Sequence, residues 1–145
     1  MKILLLTMVT AFTLYAGGGG HPHHAAVFLG AAASTDHMDE PHFSLGLDYE
    51  YIMGTFGAGL LVEALFADHT ALIAGPTLYF HPVSSAKLFL VPGIEAVDGH
   101  SAFLIRLGTG YDFHVNNLSV GPALYVDYVN EHTLVGGGVN VGMGF

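Results

Sequence analysis

Histidines and carboxylates occur side by side in four short polar segments of the chain, at residues 34–42, 67–69, 98–101 and 130–132. Imidazole and carboxylate groups are ligands that suit zinc, copper or nickel. If the fold brings the four segments to one end, they predict a divalent-metal site. Its candidate ligands are His37, His42, Asp68, His69, Asp98, His100, Glu131 and His132.

A plainer interpretation of these segments stays open. Their spacing matches no dedicated metal motif such as HExxH. Aspartate and glycine are also favoured in turns, and charged groups normally lie on solvated surfaces. His21, His23 and His24 form a separate group in a glycine-rich stretch, where a weak metal-binding tail or a flexible linker is expected.

Acyl-transfer or hydrolytic chemistry has one candidate group, His100 and Ser101 with Glu95 or Asp98 nearby. A nucleophile and its base must lie within hydrogen-bonding distance of each other. Adjacent residues of a strand point to opposite faces, so His100 and Ser101 do not form an obvious pair.

The composition indicates what kind of fold carries these groups. The chain has 145 residues, 10% of them charged, a net charge of −9 and a mean hydropathy of +0.53, far more apolar than an ordinary soluble domain. A transmembrane helix needs about 20 consecutive apolar residues, and we find no such run outside the N-terminus. With no cysteine, the chain has no disulfide framework and no lipoprotein anchor.

The N-terminal segment predicts export. Lys2 precedes a short apolar stretch that ends at Ala16, before four glycines. This pattern is typical of a secretory signal peptide at 1–16, followed by a Gly/His-rich lead-in at 17–24; an uncleaved membrane anchor is the alternative. After cleavage only Lys87 and Arg106 are basic, which makes nucleic acid an improbable partner because phosphate binding needs clustered lysine and arginine.

From residue 25 onward, apolar residues alternate with small or polar ones over stretches of about ten residues, the length of a tilted membrane-spanning strand. Tight turns at Met53-Gly54, Gly99-His100 and Asn130-Glu131 can connect neighbouring strands in register. The pattern predicts an all-β, eight-stranded, antiparallel up-and-down barrel over 25–145. The predicted strands lie at about 25–33, 43–51, 56–66, 72–80, 87–95, 103–113, 118–128 and 135–145.

Glycine decides which face lies inside. A soluble, lipocalin-like barrel shows the same alternation with the two faces exchanged. Thirteen strand glycines share the polar face, and only Gly137 lies on the other face. Because an eight-stranded barrel has a narrow interior, the glycine-rich face should point inward and the large apolar side chains outward, with aromatic residues clustered near both rims as membrane girdles.

Two features of the strands raise further expectations. Pro76, Pro92 and Pro122 lie inside strands, where each removes a ladder hydrogen bond, so we expect bulges there. The inward charged residues predict an internal network in which Arg106 pairs diagonally with Glu95 and Glu63 reaches the same group. A narrow cation path is the alternative. The predicted network consists of Glu63, Glu95, Arg106, Asp112 and Asp127.

The chain resembles the small OmpA/OmpX-type outer-membrane β-barrel proteins over about residues 25–145. The resemblance is in pattern and rests on strands such as 43–51 and 107–113 and on a last strand that ends in Phe145. In that family a terminal aromatic residue is part of the signal read by the barrel-assembly machinery, a role that Phe145 would match. Some eight-stranded outer-membrane proteins act on lipid A with surface histidine, serine and acidic residues, and similarity to them implies a further alternative for His100 and Ser101.

These observations together predict a monomeric barrel in the outer membrane of a Gram-negative bacterium, without an obligatory cofactor and without enzymatic activity. Its expected partners are outer-membrane lipid, lipopolysaccharide and the assembly machinery. Its expected role is structural, or a surface interaction in the cell envelope; the short connections argue against adhesion through long loops. The alternatives are a divalent-metal-binding barrel, a narrow cation pore and a lipid A-modifying enzyme.

Overall fold

The computed structural model describes residues 21–130 and 132–145. The predicted signal peptide, the glycines that follow it and Glu131 lie outside the described residues. No helix within the described part of the chain is long and apolar enough to cross a membrane. The strands are β1 (His23–Ser34), β2 (His42–Met53), β3 (Phe56–Phe66), β4 (Ala71–Val83), β5 (Ala86–Val97), β6 (His100–Tyr111), β7 (Phe113–Val115), β8 (Leu118–Val129) and β9 (His132–Gly144).

These strands form one closed antiparallel barrel. Each strand pairs with its neighbours along the chain, and β1 pairs with β9 to complete the ring. The short β7 continues β6 after a break at Asp112, and both pair with β8 in one unbroken register. The structure therefore has eight wall positions, as the alternation predicts, and closure leaves no long unpaired edge.

The barrel has two ends, which we name by their connections. The terminal rim carries residues 21–22, Phe145 and the turns at 54–55, 84–85 and 116–117; the far rim carries the connections at 35–41, 67–70, 98–99 and 130–131. The four predicted His/acid segments therefore share the far rim. β1 begins at His23, so the last two residues of the predicted lead-in belong to the wall.

Two of the predicted turns are displaced by one residue each. Met53 pairs with Phe56 and Val97 with His100, so the turn centres are Gly54-Thr55 and Asp98-Gly99. Asp98 and Gly99 both have positive φ, the geometry of a tight hairpin turn for which Asp-Gly is a favoured sequence. Each displacement changes the register by two residues and leaves every side chain on its predicted face.

The prolines do not cause bulges, contrary to the expectation. Pro76 of β4 lies opposite Pro92 of β5, and the pairing of these two strands is interrupted around both residues but resumes in the same register. Pro122 lies opposite the break between β6 and β7. The prolines thus coincide with gaps in the ladder, and the one register shift between β4 and β5 comes later, between Phe80 and Val83.

Candidate functional site

The lumen of the barrel is the candidate functional site, because it holds the buried charged groups. Inward residues include Glu50, Glu63, Lys87, Arg106 and Asp127, each at most 2% exposed, while large apolar residues cover the outer face. The predicted orientation of the two faces agrees with this arrangement. Gly137 lies on the outer face, as predicted, because a Cβ added there would contact the outward side chain of Leu124.

Arg106 is the centre of the first polar group in the lumen. Its Nε and Nη2 donate to Oδ1 and Oδ2 of Asp127 at 2.6 and 2.7 Å, and its Nη1 donates to Glu63. Tyr125 donates to Glu63 at 2.7 Å, and the guanidinium lies 3.7 Å from the centre of the Tyr125 ring. We call these four residues the Arg106 cluster. A bidentate pair of this kind fixes both position and orientation of the arginine.

The predicted pairing of Arg106 with Glu95 is wrong. Glu95 lies opposite Ala102 on β6, four residues from Arg106, which is about 13 Å along the strand. A diagonal contact reaches only two residues along the opposite strand. The direct cross-strand neighbour of Arg106 on the other side is Asp127, which supplies the ion pair instead.

Asp112 also belongs to a different group from the predicted one. It pairs with Lys87, whose Nζ lies 3.0 Å from Asp112 Oδ2 near the terminal rim. Around this pair, His81 Nε2 lies 2.6 Å from Glu50 Oε1, His24 Nε2 lies 2.8 Å from Ser119 Oγ, and Tyr79 donates to Asp48. We call these residues the terminal-rim cluster. The alternation pattern does not predict this cluster, because His24 lies in the predicted lead-in and His81 lies beyond the predicted end of its strand.

A small cavity of about 20 Å³ separates the two clusters. Its lining includes Asp48, Lys87, Arg106 and Asn140. A volume of this size accommodates about one water molecule. Side chains therefore leave little free space between the two clusters.

Apolar side chains fill much of the lumen around and beyond the Arg106 cluster. Ile73, Val91 and Leu104 are completely buried and pack together, so the interior is more apolar than the predicted glycines and acidic residues indicate. A second apolar group surrounds Phe28 and Tyr125. The two buried apolar groups consist of Leu61, Ile73, Val91, Leu104 and Val129, and of Phe28, Ala32, Leu65, Ala71, Ala123, Tyr125 and Leu134.

At the far rim, two of the predicted metal ligands come together. His69 Nδ1 lies 2.6 Å from Asp98 Oδ2, and both side chains are mostly exposed. Within residues 21–130 and 132–145, no group of three histidine, cysteine, aspartate or glutamate residues has a geometry that could hold a metal ion. Glu131 lies outside those ranges. Among the remaining candidates, His37 and Asp68 are on exposed connections, and His42, His100 and His132 begin strands.

His100 and Ser101 occupy consecutive positions of β6 at the far rim and are both exposed. They lie opposite Val97 and Ala96 of β5. No hydrogen bond joins their side chains among those of the described residues. The geometry therefore lends no support to a nucleophile and base at this position.

At the terminal rim, Phe145 closes the ring together with β1. Its backbone N–H donates to the His23 carbonyl at 2.9 Å, and the His23 N–H donates to the Phe145 carbonyl at 3.3 Å. The His23 ring stacks on Phe145 with centroids 5.7 Å apart, and its Nδ1 lies 2.7 Å from the Tyr49 hydroxyl. The last residue is therefore fixed at the seam between the first and last strands.

Comparison with known proteins identifies the fold through structure alone. No family model matches the chain, and no curated protein matches it in sequence. A de novo designed transmembrane β-barrel is similar, with a TM-score of 0.64 at 14% identity, covering 88% of this chain and 100% of the designed one. At such identities the likeness establishes the architecture of a small eight-stranded outer-membrane barrel and no particular activity.

Two natural proteins share that architecture. Neisserial surface protein A has a TM-score of 0.59 at 14% identity, covering 90% of this chain and all of its own. Ail, the attachment invasion locus protein of Yersinia pestis, has a TM-score of 0.61 at 12% identity, covering 87% of this chain and all of its own. The predicted fold class is confirmed.

Proposed function

We propose that the chain is an exported outer-membrane protein of a Gram-negative bacterium that serves as a closed, non-enzymatic structural or surface component of the envelope. The observation that carries the proposal is the filled lumen. The Arg106 cluster and the apolar groups around it occupy the barrel, and the cavity between the polar clusters has about 20 Å³. An eight-stranded barrel leaves just enough space for such side chains.

The proposed orientation places the terminal rim in the periplasm and the far rim outside the cell. Phe145 would then present the family's C-terminal assembly signal, as the resemblance implies. The far rim carries one connection longer than four residues in the described ranges, 35–41, with Asp36, Asp39 and Glu40. A surface partner, if one binds there, would be expected to carry positive charge.

Planar-bilayer recording of the refolded protein tests the closed state. We expect no discrete conductance steps, because passage of an ion would require the displacement of Arg106 from two carboxylates. Stepwise conductance that disappears when lumen residues are enlarged would replace this proposal with the narrow cation pore. Unchanged lipid A after incubation with the protein is the expected result for a barrel without enzymatic activity.

A divalent-metal site at the far rim is a second candidate, favoured by the contact between His69 and Asp98. Titration calorimetry of zinc or nickel with the detergent-folded protein tests it. The site requires binding tighter than millimolar that is lost in His69→Ala and retained in His114→Ala, a matched exposed histidine at the other rim. Absence of such binding, or equal loss in both variants, removes this candidate.

A further inference from the structure

The line along which β4 and β5 pair, which we call the β4–β5 seam, is interrupted near the middle of both strands. Pairing is absent for residues 75–77 of β4 and 91–93 of β5. Pro76 and Pro92 lie opposite each other in this gap, and neither has an N–H group to donate. Because the hydrocarbon of a membrane offers no replacement for a lost backbone bond, this part of the wall is held together weakly.

The other seams of the wall are more complete over the residues that the structure describes. Pairing is continuous along the seams β1–β2, β1–β9, β2–β3, β3–β4, β5–β6 and β8–β9. The break between β6 and β7 opposite β8 is shorter, and there the Asp112 N–H donates to the Ser85 carbonyl at 2.7 Å. The β4–β5 seam also carries a register shift between Phe80 and Val83.

Side chains add little across the gap itself. Cross-strand pairs of side chains stabilise a sheet, but the inward pair at this level consists of Gly75 and Gly93, which have no side chains. A Cβ added to Gly75 would lie 2.7 Å from the Gly93 Cα, so the two backbones approach too closely for any larger residue. The gap therefore lacks both backbone bonds and an inward side-chain pair.

An ion pair in the lumen joins the two strands that flank this seam. Arg106 on β6 donates through Nη1 to Glu63 on β3, and both side chains are 1% exposed. The cross-strand neighbour of Glu63 is Ile73 on β4, and that of Arg106 is Val91 on β5. The pair thus connects β3 to β6 on the lumen side of β4 and β5. The second ion pair of Arg106, with Asp127, joins the neighbouring strands β6 and β8 and does not span the seam.

We propose that the β4–β5 seam is a lateral opening of the barrel wall and that the Glu63–Arg106 ion pair is the latch that holds it closed. Local opening begins where few backbone bonds and few packed contacts must be broken, and the gap at the two prolines meets this condition. An open seam connects the lumen with the hydrocarbon and not with the water at either rim. The latch does not depend on which rim faces the periplasm or on the proposed envelope role.

Thiol labelling from the membrane tests the opening, because the chain has no cysteine of its own. Thr77→Cys places a thiol behind the gap, at a side chain that is 0% exposed and whose hydroxyl makes no hydrogen bond within the described residues. Ala26→Cys is the matched control, because Ala26 is 2% exposed and pairing of β1 with both neighbours is continuous. The proteins are folded into lipid vesicles and treated with a maleimide that dissolves in the hydrocarbon, and the labelled fraction is followed by mass.

Glu63→Gln removes the charge of the latch and keeps its size and an acceptor for the Tyr125 hydroxyl. We expect it to accelerate the labelling of Thr77→Cys at least about tenfold, which corresponds to a loss of about 1.4 kcal/mol from the closed state. Labelling of Ala26→Cys should not change. Asp127→Asn is the second control, because it removes an equally buried carboxylate from Arg106 without touching the latch, and it should leave the rate at Thr77→Cys unchanged.

Repair of the ladder tests the seam separately from the latch. Pro76→Ala combined with Pro92→Ala returns two N–H groups to the gap. This pair of changes should slow the labelling of Thr77→Cys in Glu63→Gln and also with Glu63 intact, so the seam is tested even where Glu63→Gln fails to fold. Heat-modifiable migration on a gel is measured on every sample to establish that the barrel is folded.

Three results would overturn parts of the proposal. Equal acceleration at Thr77→Cys and Ala26→Cys would mean general loosening of the barrel and would overturn the lateral opening. Equal acceleration by Glu63→Gln and Asp127→Asn would overturn the latch. A labelling rate at Thr77→Cys that the two proline replacements do not lower would overturn the seam as the place of opening.

Discussion

Replacement of Arg106 by methionine should destabilise the barrel more than any other single change in the lumen. Arg106 is 1% exposed and contacts two carboxylates, Glu63 and Asp127, that are equally buried. Arg106→Met leaves both without a cation. Breaking a buried ion pair by removing one partner costs about 3–5 kcal/mol, so we expect the free energy of unfolding to fall by an amount in this range. Because two carboxylates lose their cation, we expect a value in the upper part of the range.

A compensated variant separates the lost charge from lost packing. Arg106→Met combined with Glu63→Gln and Asp127→Asn removes all three charges and keeps similar side-chain volumes. Most of the cost of a broken buried pair comes from the uncompensated charge that is left behind, so the triple variant, which leaves none, should recover much of the loss. Each single variant also serves in a thermodynamic cycle that isolates the coupling.

Urea unfolding of the proteins folded into lipid vesicles gives the free energies, with folded and unfolded fractions read from heat-modifiable migration. The same slope against urea in all variants would indicate that the same surface unfolds. A cost below about 1 kcal/mol for Arg106→Met, the median range of exposed pairs, would refute the buried network. So would a triple variant that is less stable than Arg106→Met.

Three further predictions concern the wall. Gly108→Ala should cost about 1–3 kcal/mol in urea unfolding, because the new Cβ would lie 2.1 Å from Phe89 Cζ and overpacking is destabilising; Gly144→Ala, with its nearest atom at 3.7 Å, is the control that should change little. Leu124→Lys, at the middle of β8, should cost about 2–4 kcal/mol in vesicles and Leu118→Lys at its end about 0–1; equal costs would contradict the depth assigned to β8. Phe145→Ala should lower the amount of protein in outer membranes several-fold while the purified chain still folds into detergent; an unchanged cellular yield would argue against Phe145 as an assembly signal.

Alternation and glycine placement were sufficient to predict the barrel from the sequence. Side chains alternate between the two faces of a strand with a period of two. The displacement of the turn to Gly54-Thr55 shifts the strand register by two residues, so every residue keeps its predicted face. The glycines on the inward face indicated that lipid, and not water, surrounds the barrel. Gly136 shows why they are small: a Cβ there would lie 2.2 Å from Cζ of the Tyr125 ring inside the lumen.

The partners of the buried charges could not be predicted with the same success, because ion pairing depends on register at the level of single residues. The Asn116-Asn117 turn places Arg106 opposite Asp127, and completing that hairpin from the sequence would have identified the pair. The terminal-rim cluster combines residues from β1, β2, β4, β5 and β8 with Asp112 between β6 and β7, and its geometry follows only from closure of the ring. The interruptions of the strand pairing at the prolines also depend on the facing strand, because Pro76 and Pro92 lie opposite each other in the same gap between β4 and β5.

The outward position of the apolar face is tested most directly by spin labels attached to single cysteines along β8 of the protein in lipid vesicles. Labels at Val120, Leu124 and Val126 should collide readily with oxygen dissolved in the hydrocarbon, and those at Ser119, Ala123 and Val129 should be protected from it, with a period of two residues. A reversed pattern, in which the apolar positions are protected and their neighbours are accessible to a water-soluble nickel reagent, would contradict the membrane barrel.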